Sequence, residues 1–472
     1  MRKAILLLLS LICITLTARD RKDTPLPTDT IAQTYRYRLT LKDKAGTPFC
    51  VKHPEKFLSP QSIERRKRFG LAVDKYDLPI TPAYLERISA TGAEIFNMSK
   101  WNNTVQVSLS DTTGGTLAAL RQLPFVSDVL LVYDGPAQVD LSSAATRKSH
   151  VTNRLRHTFP ADSIYGSAQR QVDMLNLPAL HELGYRGEGM TIAVIDGGFY
   201  NADVIAALSK ARILGTRNFT RPDGSVYDEH YHGMMVLSCI AANEPRSIVG
   251  TAPEAAFYLL ESEDTYYEYR GEEDNWCAAL EYADSLGVDV VTSSLGYTSF
   301  DTPEVKLQYH WLDGRHELNS RSASLAASRG ILLCNSAGNE GSRTWKKIGF
   351  PADASDILTV GAVNDDGTHT AFSSIGYSAD GRVKPDCMAM GGDCALLSSN
   401  GSVTTNDGTS FACPILAGAV TCLLQACPSA SPLDVIDAVH RASSSYDHPN
   451  EIYGYGIPDI QKAYELLSQK KK

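Results

Sequence analysis

Between residues 191 and 363 the chain carries five short, almost unbroken apolar runs: TIAVID (191–196), AAFYLLE (255–261), DVVTSSL (289–295), ILLCNSA (331–337) and DILTVGAV (356–363). Stretches with helical spacing separate them, such as WCAALEYADSLG (276–287) and LNSRSASLAASRG (318–330). A run without polar alternation has no face suited to water, so each strand must be covered on both sides. Strands of that kind joined by helices build a parallel sheet with helices on both faces. Residues 165–468 are therefore expected to form an α/β domain, doubly wound around a mostly parallel sheet. In such sheets functional groups gather at the carboxyl ends of the strands.

The pattern ahead of this body is different. YRYRLTL (35–41), TVQVSLS (104–110) and SDVLLVYD (127–134) read as strands, whereas 59–70, 82–91 and GTLAALRQLPFV (115–126) read as helices. A small α+β domain is expected over 34–134. Residues 135–164 lose periodicity and read as a linker. The chain starts with Arg2 and Lys3 before an apolar run from Ala4 to Leu16, which reads as an export signal over 1–18 and places the protein outside the cytoplasm, secreted or periplasmic. A lipid anchor on Cys13 is disfavoured by the bulky Ile12 before it. No later run is long enough to span a bilayer, so no membrane association is expected after signal removal.

Charge divides along the same boundaries. Residues 34–164 hold 18 basic and 12 acidic side chains, and residues 165–472 hold 22 and 39, within a chain of formal net charge −9. An acidic body argues against binding to nucleic-acid phosphates. Removal of the signal would leave nine of the ten cysteines, and export permits disulfides, but their spacing fixes no pairing. Cys239, Cys334 and Cys413 read as small buried apolar residues, and the absence of a CxxC pair argues against a zinc ribbon.

Three punctuated segments place reactive side chains at strand ends or helix starts: Asp196 in TIAVIDGG, His232 in EHYHGMMVLSCIAA and Ser410 in DGTSFACPILAG. A serine hydroxyl is a weak nucleophile at neutral pH and needs a base within hydrogen-bond reach, itself held by a carboxylate. Order and local pattern resemble the subtilisin-like serine proteases, and ILLCNSAGNEG adds Asn339 at the position of that family's oxyanion asparagine. GTAPEA (250–255), SSLG (293–296), GFPA (349–352), VGAV (360–363), AFSSIG (371–376) and KPD (384–386) extend the resemblance over about 165–468.

The resemblance implies an exported endopeptidase acting through an acyl-enzyme. Ser410 attacks, His232 moves the proton, Asp196 orients the imidazole, and Asn339 with the Ser410 N–H holds the oxyanion. It also implies that protein or peptide substrates lie extended beside Ser294, Leu295 and Gly296. The first pocket is then walled by these residues, Ala337, Gly338 and Gly349, with Glu340 at its mouth. The front domain resembles the pro-regions of these enzymes, an inhibitor and folding aid with the body as its partner, removed by self-cleavage within 135–164 near Arg147–Arg156. The net +6 of residues 34–164 facing the net −17 of residues 165–472 suggests electrostatic docking.

No cofactor is implied, a structural calcium ion is compatible with the acidic loops, and a monomer is expected. Two departures from the pattern stand beside the triad: Gly197 where Thr or Ser is usual, and Met235 where the second histidine of HGTH is usual. If either ruins the site, the alternative is a non-catalytic binding protein on the same fold.

Other motifs fail on physical grounds. Gly184, Gly187 and Gly189 precede a strand, whereas phosphate-cradling glycines follow one. GTSFA ends in Ala412, unlike a GxSxG elbow. Asp228, Glu229, His230 and His232 lack HExxH spacing for catalytic zinc. The acidic segment 261–276 is expected to be a solvated loop and helix start, with the alternative that it lines the groove and selects basic residues upstream of the cut.

Overall fold

The computed structural model describes residues 33–110, 114–136, 163–265, 267–301 and 303–469. The export signal, and the Arg147–Arg156 neighbourhood expected to hold the processing site, lie outside the described residues.

In the front domain β1 (Gln33–Leu41), α1 (Pro60–Arg68), α2 (Pro82–Ser89), β2 (Glu94–Ser99), β3 (Thr104–Leu109), α3 (Gly115–Arg121) and β4 (Val126–Pro136) follow in order. The strands form an antiparallel sheet in the order β2-β3-β1-β4. Strand β2 escapes a reading of the sequence because EIFNMS does not alternate cleanly. Successive side chains of β1 point to opposite faces. Leu39 and Leu41 join Ile88, Val105, Val107 and Leu120 in the domain's own core, while Arg36 and Arg38 are buried on the opposite face.

That second face lies on the body. Its sheet is built from β5 (Thr191–Asp196), β6 (Arg212–Asn218), β7 (Ala256–Glu261), β8 (Val290–Ser293), β9 (Leu332–Ser336), β10 (Leu358–Val363) and β11 (Cys387–Met390). The order is β11-β10-β9-β8-β5-β7-β6, with every pairing parallel. Helices α4 (His232–Ala241), α5 (Glu272–Leu286), α6 (Leu318–Leu325) and α7 (Thr409–Ala426) cover it, with α8 (Pro432–Ala442) and α9 (Ile460–Gln469) closing the chain. Two separate cores lie on the two sides of the sheet, one containing α4 and α7 and the other α5 and α6. The expected doubly wound architecture is thus present, with β6 and β11 as additional edge strands.

Helix α7 is long and apolar enough to cross a bilayer by composition, but it is buried against the sheet. Cys239, Cys277, Cys334, Cys387, Cys394, Cys413 and Cys422 are buried and unbridged. Burial pushes the thiols of Cys239 and Cys413 up to about 12, so they behave as apolar filler.

The interface between the two domains is dominated by charge. Arg38 forks onto Asp274 at 2.6 and 2.9 Å and reaches Glu273 at 3.0 Å. Arg65, Arg66 and Lys100 converge on Asp284, and Arg66 also meets Asp77 at 2.7 Å. Polarity reverses at Arg329 of the body, which pairs with Asp74 of the front domain at 3.0 Å and with Asp77 at 3.5 Å. The acidic segment is therefore not a solvated loop. Glu261, Glu263, Asp264, Glu272, Glu273 and Asp274 are all buried.

Candidate active site

Strand β5 ends on Asp196, which is fully buried, and α4 begins on His232. His232 Nδ1 lies 2.7 Å from Asp196 Oδ1, which also accepts the Gly197 N–H at 2.8 Å. With Nδ1–H donating to the carboxylate, Nε2 is the basic nitrogen. The close approach of strand and helix requires Gly233: a Cβ there would stand 2.6 Å from the Gly198 carbonyl oxygen and 2.8 Å from Asp196 Cβ. Gly197 has no hydroxyl to offer, and Asp196 Oδ2 is buried with no hydrogen-bond partner among the described residues.

Ser410 occupies the first turn of α7, where backbone N–H groups have no intrahelical acceptor. Pro414 lies four residues on and supplies no N–H to the Ser410 carbonyl. That carbonyl instead accepts the Ser294 hydroxyl at 2.8 Å, tying the start of α7 to the end of β8. Asn339 follows Gly338, whose φ of +103° favours glycine and where a Cβ would stand 2.9 Å from Ser374 Oγ. Asn339 Oδ1 accepts both the N–H of Thr409 at 3.0 Å and its hydroxyl at 2.9 Å. The amide's acceptor is thereby used, and its N–H₂ is oriented as a donor.

One cleft of about 440 Å³ is lined by Asp196, His232, Ser410 and Asn339 together with Ser294, Leu295, Gly296, Gly338, Glu340 and Gly349. Ala337 does not line it. Its side chain is buried behind the cleft wall with Ile348 and Phe350, and its carbonyl accepts the Gly349 N–H. Met235 reaches the cleft from α4, and Phe411 lies 6.0 Å from the His232 ring, neither having been singled out as a site residue. Glu263 and Glu268 also face it.

Comparison with known proteins bears on this arrangement. Residues 187–456 match the subtilase family, peptidase S8. The chain belongs to the subtilases. Residues 36–150 match the S8 propeptide domain of Bacteroidota, so this subtilase is a serine endopeptidase carrying a propeptide, made as a zymogen. Subtilisin NAT of Bacillus subtilis subsp. natto is 27% identical over 373 residues, covering 78% of this chain and 87% of the relative. Subtilisin of Bacillus pumilus is 28% identical, covering 62% of this chain and 97% of its own length. Among solved structures, MycP1 with its N-terminal propeptide removed superposes with a TM-score of 0.50 at 20% identity, over 62% of this chain and 96% of that one. The self-cleaved protease domain of PatA gives 0.49 at 22%, over 60% and 98%. The likeness to MycP1 shows the subtilisin-like fold.

In this subtilase the propeptide domain packs against the segment that follows Glu268, a residue of the cleft wall. The Val132 carbonyl of β4 accepts the Gly271 N–H at 3.0 Å, and Tyr133 packs on Tyr269 at 4.7 Å between ring centres. Glu263, Glu268 and Glu272 bring carboxylate oxygens within 4.8 Å of one another, the arrangement that would suit a cation. Two donors already occupy Glu272, the N–H groups of Asp264 at 2.8 Å and Tyr269 at 3.1 Å, while Tyr297 donates to Glu263. Burial and then the neighbouring Glu263 and Glu268 push the Glu272 carboxyl well above its ordinary range.

Proposed function

We propose that the chain is an exported serine endopeptidase in which Ser410 is the nucleophile, His232 the general base and Asp196 the group that orients the imidazole. The observation that carries the reading is the 2.7 Å Asp196–His232 hydrogen bond opening onto the same cleft as Ser410 and the pinned amide of Asn339. His232 Nε2 takes the Ser410 proton as the hydroxyl attacks the scissile carbonyl. The oxyanion accepts from Asn339 Nδ2 and the Ser410 N–H. The imidazolium then protonates the leaving amine, and water repeats the sequence on the acyl-enzyme.

The substrate lies extended against Ser294, Leu295 and Gly296, with its first side chain between this segment, Gly338 and Gly349, and Glu340 at the mouth. Glu263 and Glu268 on the cleft wall favour basic residues upstream of the cut. Residues 1–18 direct export, and the front domain over 34–134 occupies the acidic face until self-cleavage within 135–164. Any calcium ion is structural and takes part in no step.

A fluorophosphonate probe tests the core of this reading. Stoichiometric labelling of the processed protein, abolished in Ser410→Ala, is expected. No labelling of a folded, processed protein refutes an activated serine and favours a non-catalytic binding protein. N-terminal sequencing of secreted wild type and Ser410→Ala tests self-cleavage, which identical processing of both would exclude.

A further inference from the structure

The front domain's turn between β2 and β3 grips the body by more than charge. Trp101 in that turn takes no part in the front domain's own core; it is buried in the body's core on the α5–α6 side of the sheet. The Arg329 guanidinium lies 5.9 Å from its ring centre, within reach of a cation–π contact. Glu281 of α5 accepts the N–H groups of Lys100 at 2.9 Å and Trp101 at 3.0 Å, and the Ser99 hydroxyl at 2.5 Å. Two successive N–H groups can aim at one carboxylate only in a turn, because those of a strand point to opposite sides. Asn102 Nδ2 donates to Ser322 of α6 at 2.6 Å, and its Oδ1 accepts from Arg321 at 3.1 Å.

Beside this socket the Lys100 ammonium stands 3.5 Å from Asp284. Glu273, Glu281 and Asp284 lie eight and then three residues apart, so they share one face of α5, and all three pair with the front domain. Release of the front domain takes away Arg38, Arg65, Arg66 and Lys100 and leaves these carboxylates, with Asp274, around an apolar socket. Like charges so arranged repel one another and favour a cationic occupant.

We propose that the processed protease uses this face as a second docking site, distinct from the cleft, for protein substrates that present an aromatic residue next to Lys or Arg on a tight turn. The inference rests on the protease reading and on release of the front domain. The aromatic ring enters the socket that Trp101 fills, Glu281 takes the turn's N–H groups, and Asp284 takes the cation. The face continues from the cleft: Glu268 lines the cleft wall, Tyr269 and Gly271 follow in contact with β4, and α5 starts at Glu272. From Glu272 to Glu281 the helix rises about 14 Å, so one folded substrate reaches both sites. Docking then raises the concentration of such a substrate at the cleft.

The test uses processed protein separated from its front domain and treated with the fluorophosphonate, so that a peptide is not digested. The probe is a cyclised peptide of residues 94–109, carrying β2, the turn and β3, with its Trp101→Ala and Lys100→Glu versions. Binding of the parent peptide is expected, weakened about thirtyfold by Trp101→Ala and about tenfold by Lys100→Glu. No binding, or equal binding of all three, overturns the proposal. Binding of the released front domain but not of the peptide also overturns it, because the face then recognises its own propeptide alone.

With untreated processed enzyme, a fluorogenic cleavage peptide tethered to the parent turn by a Gly/Ser linker is expected to show a KM about tenfold below that of its Trp101→Ala version at the same kcat. Equal KM values refute substrate capture by this face. Failure of the protease reading is told apart by missing fluorophosphonate labelling, which leaves the peptide-binding result standing.

Discussion

Removing Thr409's hydroxyl without touching the reacting groups separates a positioned oxyanion donor from one that is merely nearby. Asn339 Oδ1 accepts two bonds from Thr409, and only the hydroxyl bond, at 2.9 Å, is lost in Thr409→Val. A neutral hydrogen bond of this kind contributes about 1 kcal/mol, and the amide keeps its backbone anchor at 3.0 Å. If that loss of about 1 kcal/mol falls only on the transition state, kcat drops about fivefold with KM unchanged. Asn339→Ala removes the donor itself and should cost about 10²–10³ in kcat, the range known for this donor in subtilisin. Steady-state kinetics on a chromogenic peptide gives both numbers, with Thr409→Ser as the control that restores the bond. Equal losses in Thr409→Val and Asn339→Ala, or a loss expressed in KM, would falsify the view that Thr409 acts by aiming the Asn339 amide.

Asp284→Asn strips the buried carboxylate on which Arg65, Arg66 and Lys100 converge, although Arg65 keeps the Val288 carbonyl at 2.8 Å and Arg66 keeps Asp77. A cost near 3 kcal/mol, or about 10²-fold faster escape of the cleaved front domain, should appear as a shortened lag in activity after processing; an unchanged lag counts against charge-based docking. Replacing Glu263 and Glu268 together by Gln should reduce preference for Lys or Arg upstream of the cut about tenfold in a peptide library, and an unaltered profile removes these residues from specificity. Burial opposes ionisation of Asp386, yet Lys384 at 2.6 Å and His440 at 3.3 Å hold its carboxyl down to about 2. Its contribution is present above the ordinary value of 3.8 and is lost as pH falls through about 2. Asp386→Asn should thus be less stable by roughly 2 kcal/mol at neutral pH, with the gap closing on acidification; denaturant melts showing a constant gap down to pH 2 would contradict this.

The linear chain carried the parts of the protein that depend on local pattern. Unbroken apolar runs identified the sheet, because a strand buried on both faces tolerates no polar alternation. Asp196, His232, Asn339 and Ser410 were legible because each stands where a strand ends or a helix starts, and the structure sets all four around one cleft. Edge strands β6 and β11 were not legible: RILGTRN is polar, and CMAM is only four residues long. Ala337 was placed on the pocket wall by its neighbours' company, yet its side chain points into the core.

What tertiary structure alone decided was the fate of charge. In sequence, residues 261–276 are an acidic stretch suited to solvent and to a helix start, and the front segment is simply basic. Folding buries Glu273, Asp274 and Asp284 beneath Arg38, Arg65 and Arg66, partners more than 200 positions away. It also buries Glu261 at the end of β7 with Asn218 as its donor and leaves Asp196 Oδ2 without the hydroxyl that Gly197 lacks. Composition counts charges, but whether a carboxylate meets water, a guanidinium or another carboxyl depends on distances of a few ångströms, and those are set only when the domains pack.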